Sequence, residues 1–229
     1  MSAPRHGKSP KRRADTWQAQ KSDITRVRLL EAAIQCIAEL TYPKTTVLTI
    51  AERAGVSAGA MQYHFPSRAA VIKAAVAHLH ARRLAGGRRD LAHVPEGMDV
   101  VEHLVRAYWK HLTEPEFQAF QELVVASRAD PELAAILRPA YQSFLDHWRD
   151  QTLKAFPEWR PLGEQFHLAC NMAQYLMEGM AYGLLNGQFA KKNIEPMLVE
   201  CAKQLRKALG SPSRARAGRS LQRNNMGDL

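Results

Sequence analysis

The sequence has little of what marks a secreted, membrane-spanning or catalytic chain. Cysteine occurs three times in 229 residues, and aromatic residues make up 7%. Cys36, Cys170 and Cys201 are odd in number, far apart, and part of no Cys-x-x-Cys or Cys/His cluster. That pattern speaks against a disulfide framework and a zinc site, and for a reducing cytoplasm. No stretch reaches the roughly eighteen uninterrupted apolar residues that a membrane helix needs, and the basic start from Met1 to Arg13 is followed by no apolar segment of a secretory signal. Neither a membrane span nor a leader is expected. A Gly-x-Ser-x-Gly elbow, a Walker loop and a dinucleotide fingerprint are also missing, so the sequence gives no positive sign of an enzyme or a cofactor.

Metal sites fare no better. Glu164-x-x-His167 has the helical spacing of di-iron bundles, but such bundles need the motif twice, and it occurs once here. His78 and His80 are two residues apart, so on a helix they diverge and cannot share a metal. Alternating strand patterns and hairpin turns are nearly absent, which leaves an all-α fold.

What is present is charge, unevenly placed. Residues 1–89 carry 16 Lys+Arg against 5 Asp+Glu, and residues 90–229 carry 16 against 17. The whole excess lies in the N-terminal part, the footprint expected of polyanion binding, because each neutralised phosphate releases counterions. A solvated basic tail would look the same by charge alone.

Periodicity divides the chain further. Residues 1–23 and 211–229 have no hydrophobic period and are expected to be disordered, cationic tails. Leu30, Ala33, Ile34, Ile37 and Leu40 form one stripe of an amphipathic helix that stops at Tyr42-Pro43-Lys44. Short helices are predicted over about 47–54 and 58–64, then a long one over 67–85 ended by Gly86-Gly87. Further helices follow over about 98–112, 115–128, 131–155, 162–187 and 194–209. The expected organisation is a basic arm (1–23), a head (24–89), a body (90–210) and a tail (211–229).

The densest local signal runs from Thr46 to Phe65. Thr46 suits the N-cap of a short helix, Ile50 and Ala54 its core face, and Ala51 a close crossing. Gly55 can take the left-handed conformation of a tight turn, Val56 plugs the core, and Ser57 caps the next helix. Met61 and Phe65 anchor that second helix, leaving Ala58, Gly59, Ala60 and Gln62 as a small, weakly polar outer face. Such a face lets a helix sit deep in a DNA major groove, with Gln62 the best reader of a base edge. An ordinary αα-hairpin in a bundle is the competing explanation.

These residues resemble the DNA-binding domain of TetR-type (TetR/AcrR) transcriptional regulators. The likeness is carried by Arg26 to Leu40, Thr45-Thr46-Val47, Ile50-Ala51, Ala54-Gly55-Val56-Ser57, Gly59, and Tyr63-His64-Phe65 followed by Arg68. The resemblance implies a three-helix DNA-binding head with a helix-turn-helix, a helical ligand-binding and dimerisation body, and repression relieved by a small effector. It also implies that Thr45 and Thr46 stand at the phosphates, that Ser57, Ala58, Gly59, Ala60 and Gln62 enter the groove, and that Tyr63, His64 and Arg68 touch the backbone. Two positions depart from the family pattern, which commonly has Gly at Thr41 and Lys at Arg68.

In the body, Trp109, Phe120, Tyr141, Phe144, Trp148, His167, Asn171 and Tyr175 are candidate effector-pocket residues, although most such residues simply fill a bundle. His167 and Asn171, one turn apart, are the candidate orienting groups. Ala169, Ala173, Gly179, Gly183 and Gly187 form a small-residue face where a second subunit could approach. Close packing within one subunit is the alternative. The expected partners are double-stranded operator DNA, an unidentified small-molecule effector and a second copy of the chain, in a bacterial cytoplasm and at the nucleoid when bound. A helical enzyme or metal-binding bundle, and a non-specific architectural DNA binder, are the competing functions.

Overall fold

A computed structural model describes residues 10–210, and in them every regular element is helical. The chain divides into two compact units, residues 1–75 and 76–229. The expected disorder at 1–9 and 211–229 falls outside the described residues. No helix among the described residues is long and apolar enough to cross a membrane.

The first unit contains α1 (Pro10–Leu40), α2 (Val47–Ala54), α3 (Ala58–His64) and the start of α4 (Arg68–Ala92). Of the residues the pattern picked out, Leu30, Ala33, Ile34, Ile37, Ile50, Ala54, Met61 and Phe65 are buried, whereas Leu40 and Val56 are only half-buried. Burying each of the larger side chains contributes about 1.5–3 kcal/mol. The expectation of disorder up to residue 23 is corrected, because α1 already begins at Pro10. Residues 17–28 are exposed or half-buried and carry no apolar stripe, so hydrophobic periodicity could not reveal this stretch. Ala, Gln, Lys and Arg nonetheless favour the helix by propensity.

The second unit contains the rest of α4 and α5 (Val100–Leu112), α6 (Pro115–Ala126), α7 (Pro131–Ala155), α8 (Glu164–Leu185) and α9 (Ile194–Leu209), with a 3-10 segment, Pro157–Leu162, before α8. Asp99 and Asp130 cap α5 and α7, accepting from the Glu102 and Leu133 amides at 3.0 and 2.9 Å. Val105, Phe117, Met177, Leu198 and Cys201 fill one core, and Leu91, Val100, Phe156, Trp159 and Phe166 another. Arg106 ties α5 to α9 through a forked pair with Glu195 at 3.0 and 2.6 Å, which holds the Glu195 carboxyl below its ordinary range.

α4 does not end at Gly86-Gly87 but runs on to Ala92. The two glycines serve close packing instead. A Cβ on Gly86 would stand 2.7 Å from His111 Cε1, and one on Gly87 would stand 2.3 Å from Trp148 Cζ3. The division between units accordingly falls between Ala75 and Val76, inside α4, and not after Arg89. Arg82, Arg83, Arg88 and Arg89 therefore belong to the second unit, which lowers the head's share of the positive charge.

Candidate nucleic-acid interface and body cavity

Local chemistry fixes α2 and α3 at every end. The Thr46 hydroxyl accepts from the Thr49 amide at 3.1 Å, and the Thr49 hydroxyl accepts from the Thr46 amide at 2.9 Å. This is a capping box with threonine in the usual glutamate position. At the other end Gly55 has φ +63, and the Gly55 and Val56 amides donate to the Glu52 and Ala51 carbonyls, both at 3.0 Å. That Schellman turn reverses the chain. Arg28 reaches across from α1 and donates to the Ala54 carbonyl at 2.5 Å. Ser57 then caps α3, its Oγ accepting from the Ala60 amide at 3.1 Å, and extended Phe65 before Pro66 ends it.

The outer face so positioned is Ser57, Ala58, Gly59 and Gln62, all exposed, with Ala60 half-buried. A Cβ on Gly59 would come no nearer than 3.9 Å to any neighbour, so the smallness of this face is not demanded by packing inside the head. Gln62 Nε2 donates to the Pro66 carbonyl at 3.2 Å, an exposed bond that the side chain must release to reach a base. Tyr63 is 81% exposed and lies edge-on to His64. Tyr63, His64 and Ala60 also line an open groove against Gln18, Lys21, Ser22 and Thr25 of α1. Sequence periodicity missed this groove because its α1 wall has no apolar period.

Two expected phosphate contacts are corrected. Thr45 is fully buried, its hydroxyl donating to the Thr41 carbonyl at 2.9 Å. It builds the turn and offers no side chain to a ligand. Arg68 donates from Nε to the Thr45 carbonyl at 2.7 Å and from Nη2 to the Tyr42 carbonyl, and its guanidinium carbon lies 4.0 Å over the Tyr42 ring. The two departures from the family pattern thus meet at one place. Thr41 has φ +74, a strained conformation for a β-branched residue, and Arg68 clamps the turn that Thr41 begins.

The body holds a cavity of about 110 Å³, lined mostly by apolar side chains. Of the candidate pocket residues, Phe144, Trp148 and Asn171 line it, joined by Tyr108, Arg149, Trp159, Phe166, Cys170, Gln174 and Met177. The other five do not line it. Phe120 and Tyr141 pack around His80, and Trp109 packs on the core between α5 and α9. His167 stands at the surface, 3.7 Å from exposed Glu164, and Tyr175 is 65% exposed. At helical spacing an aromatic residue can face either way, and only the packing of α5, α7 and α8 separates the two groups. Among the described residues, no group of three or more His, Cys, Asp or Glu side chains is arranged to hold a metal.

The polar groups in and behind the cavity wall are tightly bonded in one part and unbonded in another. Tyr108 donates to Glu178 at 2.8 Å, and Gln174 donates to both Glu178 and Tyr141 at 3.1 and 2.6 Å. Burial pushes both tyrosine hydroxyls well above their usual range, with the Glu178 carboxylate adding to it. Burial also raises the Cys170 thiol to about 12, so it stays protonated in the cavity wall. His80 and Arg83, by contrast, are buried with both ring nitrogens and both Nη groups lacking any hydrogen-bond partner. Burial, reinforced by Arg83, lowers His80 to about 3 and keeps the ring neutral.

The small-residue face is also corrected in part. Ala169 and Ala173 are largely covered within the subunit but line an open groove between α8 and α9, whereas a Cβ on Gly183 would stand 2.9 Å from Phe189 Cβ. Gly187 lies beyond the end of α8 with φ +69, a turn residue. Gly179 alone of the five lies open on the helix, beside an exposed apolar stripe of Leu168, Met172, Tyr175, Leu176, Tyr182 and Leu185.

Comparison with known proteins agrees with the head. Residues 29–75 match the family model described as bacterial regulatory proteins, tetR family. The HTH-type transcriptional regulator CymR of Pseudomonas putida is 29% identical over 125 residues, 55% of this chain and 60% of its own. The match thus spans about 60% of the length of such curated relatives. A TetR family transcription regulator from Marinobacter aquaeolei shares the fold at TM-score 0.56 and 16% identity, over 85% of this chain and 100% of its own. Salmonella enterica GusR does so at TM-score 0.57 and 22% identity, over 81% and 95%. The tetR model is thus matched over the capped α2–turn–α3 unit, and the fold is that of solved TetR-family regulators along most of the chain's length.

Proposed function

We propose that the chain is a sequence-specific DNA-binding transcriptional regulator, a repressor that leaves a palindromic operator when a small molecule occupies its body. The observation that carries this reading is the rigidly capped α2–turn–α3 unit, whose outer face is small, exposed and unneeded for the head's own packing. Ser57, Ala58, Gly59, Ala60 and Gln62 enter the major groove, with Thr46, Tyr63 and His64 at the sugar-phosphate backbone. Arg68 and Thr45 shape the turn beneath them. The protein works in the cytoplasm, where its DNA is.

The exposed stripe on α8 supports a homodimer. Leu168, Met172 and Leu176 also line an open groove with Met197 and Cys201 of α9, a continuous apolar surface on a helix pair. In a two-fold dimer each subunit presents the same patch, so two recognition helices reach successive major grooves about 34–36 Å apart. An effector releases DNA only if it prefers the conformation whose heads are wrongly spaced, and operator DNA then weakens effector binding by the same factor.

Selection of bound sites from random DNA, with sedimentation of the protein alone, tests the reading. An inverted repeat with half-sites one helical turn apart and a dimeric protein are the expected results. Binding without sequence preference at fixed salt would mark an architectural DNA binder instead.

A further inference from the structure

We infer that the open groove between α1 and α3 holds a length of DNA sugar-phosphate backbone, so that α1 grips the duplex beside the recognition helix. This rests on the DNA-binding reading of the head and adds to it a second phosphate-binding wall, the flank of α1.

The chemistry of the two walls selects the occupant. One wall is α1, with Gln18, Lys21, Ser22 and Thr25, and the other is the C-terminal end of α3, with Tyr63 and His64. Among the described residues, none that lines the groove is acidic, and Asp23, although on α1, is not part of the wall. The Thr25 hydroxyl donates to the Lys21 carbonyl at 2.9 Å, which leaves the Gln18 amide, the Ser22 and Tyr63 hydroxyls and the Lys21 ammonium as donors. Lys21 Nζ lies 5.4 Å over the exposed Trp17 ring, a surface contact that does not use its three N–H groups. Arg26, one turn beyond Ser22 and exposed, lies 5.3 Å over Phe65 and brings a second cation to the end of α3. Ammonium, amide and hydroxyl donors in an open, carboxylate-free groove match phosphate oxygens. Ala19, Ala60 and the Tyr63 ring are all the apolar surface the wall offers, too little to hold a protein helix.

Position supports the same occupant. Ala60, Tyr63 and His64 belong to the short helix whose outer residues, Ser57, Ala58, Gly59 and Gln62, are the base-reading face, so the groove continues that face without a break. A strand held by Tyr63 and His64 on one side then has α1 on its other side. The head's own packing does not call for this part of α1, whose residues 17–28 are exposed or half-buried. From Thr25 back to Pro10 the helix runs on for about 22 Å at about 1.5 Å per residue. Between Pro10 and Arg28 its sequence holds Lys11, Arg12, Arg13, Lys21, Arg26 and Arg28 against Asp15 and Asp23. A long, basic helix with no core to serve has a use beside a polyanion.

The test titrates full-length protein with the duplex selected from random DNA, at about 0.15 M salt, where the Debye length of about 8 Å confines a charge's effect to nearby phosphates. Ser22→Glu puts a carboxylate in the groove and should weaken binding roughly tenfold or more, whereas the uncharged Ser22→Gln, of equal size, should weaken it less than about threefold. Lys21→Gln should lower the slope of log affinity against log salt by about one. All three variants should select the same site as wild type, because the bases are read from the outer face of α3. Replacing single phosphates by neutral methylphosphonates should find a position that weakens wild type and is harmless to Ser22→Glu. Equal losses for Ser22→Glu and Ser22→Gln, an unchanged slope for Lys21→Gln, or no such position would each overturn the inference. If urea unfolding shows the half-buried Ser22 variants to be destabilised, the slope of exposed Lys21→Gln decides alone. Wild-type protein that selects a DNA site but shows none of these effects defeats this inference alone. Protein that shows them on DNA of any sequence defeats the sequence-specific regulator reading alone.

Discussion

The head and the body treat polar side chains in opposite ways. In the head, Thr45 is bonded to Thr41, Thr46 to Thr49, Ser57 to Ala60, Arg28 to Ala54 and Arg68 to two carbonyls. In the body, His80, Arg83 and Trp159 are buried with donors left over. A unit that must present one fixed surface gains from having each polar atom committed, since an unmet group would cost about 1–3 kcal/mol. In the body that cost is borne at His80, Arg83 and Trp159, which have no compensating partner among the described residues.

The sharpest way to break this comparison is to fill the close approach beside the cavity. Gly87→Ala would place a Cβ 2.3 Å from a carbon of the Trp148 ring, which itself packs on Tyr108 and Phe144. The ring can shift only toward the cavity it lines, at the expense of those two contacts, so the variant should lose about 3 kcal/mol, the upper end for overpacking. Thermal unfolding reads the loss, and altered Trp148 fluorescence places it at the cavity. An unchanged melting temperature would show that the body's interior yields easily.

Acid should expose the body's unmet groups next. His80 titrates near 3 in the folded state against about 6.5 unfolded, so the unfolded chain binds more protons throughout that window. The contribution is fully present above about pH 6.5 and declines as pH falls toward 3. Between pH 7 and pH 5 the protein should lose about 2 kcal/mol from this residue. The groups around the ring are Arg83, Phe120, Tyr141 and Phe144, and burial moves the Tyr141 hydroxyl further from that range. Chemical denaturation of wild type and His80→Phe at the two pH values checks it, and equal pH dependence in both would remove His80 from the account.

These two sites also show where the sequence could be read and where it could not. The head was legible because its signals are local: a threonine three residues before its partner, a glycine at a turn, a serine before a helix. The glycines at 86 and 87 carry no such local meaning. A glycine pair either stops a helix or admits a neighbour, and the neighbours here, His111 and Trp148, lie on α5 and α7. Arg83 was counted with the solvent-facing charge of the head for the same reason, since composition cannot distinguish an arginine under two phenylalanine rings from one in water. Smallness on α8 has two causes that sequence cannot separate: Gly183 is crowded by Phe189 of its own subunit, whereas Ala169 and Ala173 line the open groove between α8 and α9.

The head should fail differently, at its turn. Gly55 has φ +63, where an L side chain costs about 1–2 kcal/mol, and an added Cβ would also meet Arg28 Nη2 at 3.2 Å. Gly55→Ala should therefore lower head stability by about that amount while leaving α8 and α9 protected in hydrogen exchange. Loss of protection in both units together would show that they unfold as one.

The smallest effect tests the turn before α2. Thr41 has φ +74 and is exposed, and the bonds that use it come from its carbonyl, which any residue supplies. Thr41→Gly relieves about 1–2 kcal/mol of strain and costs about 0.5–1 kcal/mol through greater freedom in the unfolded chain, so it should stabilise the protein by about 0.5 kcal/mol. Arg68→Lys should destabilise by about 1 kcal/mol, because an ammonium lacks the fork that meets the Thr45 and Tyr42 carbonyls together. If Arg68 is what holds the strained residue in place, the two changes are coupled, and Arg68→Lys should cost less in the Thr41→Gly background. A double-mutant cycle by urea denaturation measures this directly, since contacting groups typically couple by about 0.5 kcal/mol or more. Strict additivity would mean that the arginine braces the turn without bearing its strain.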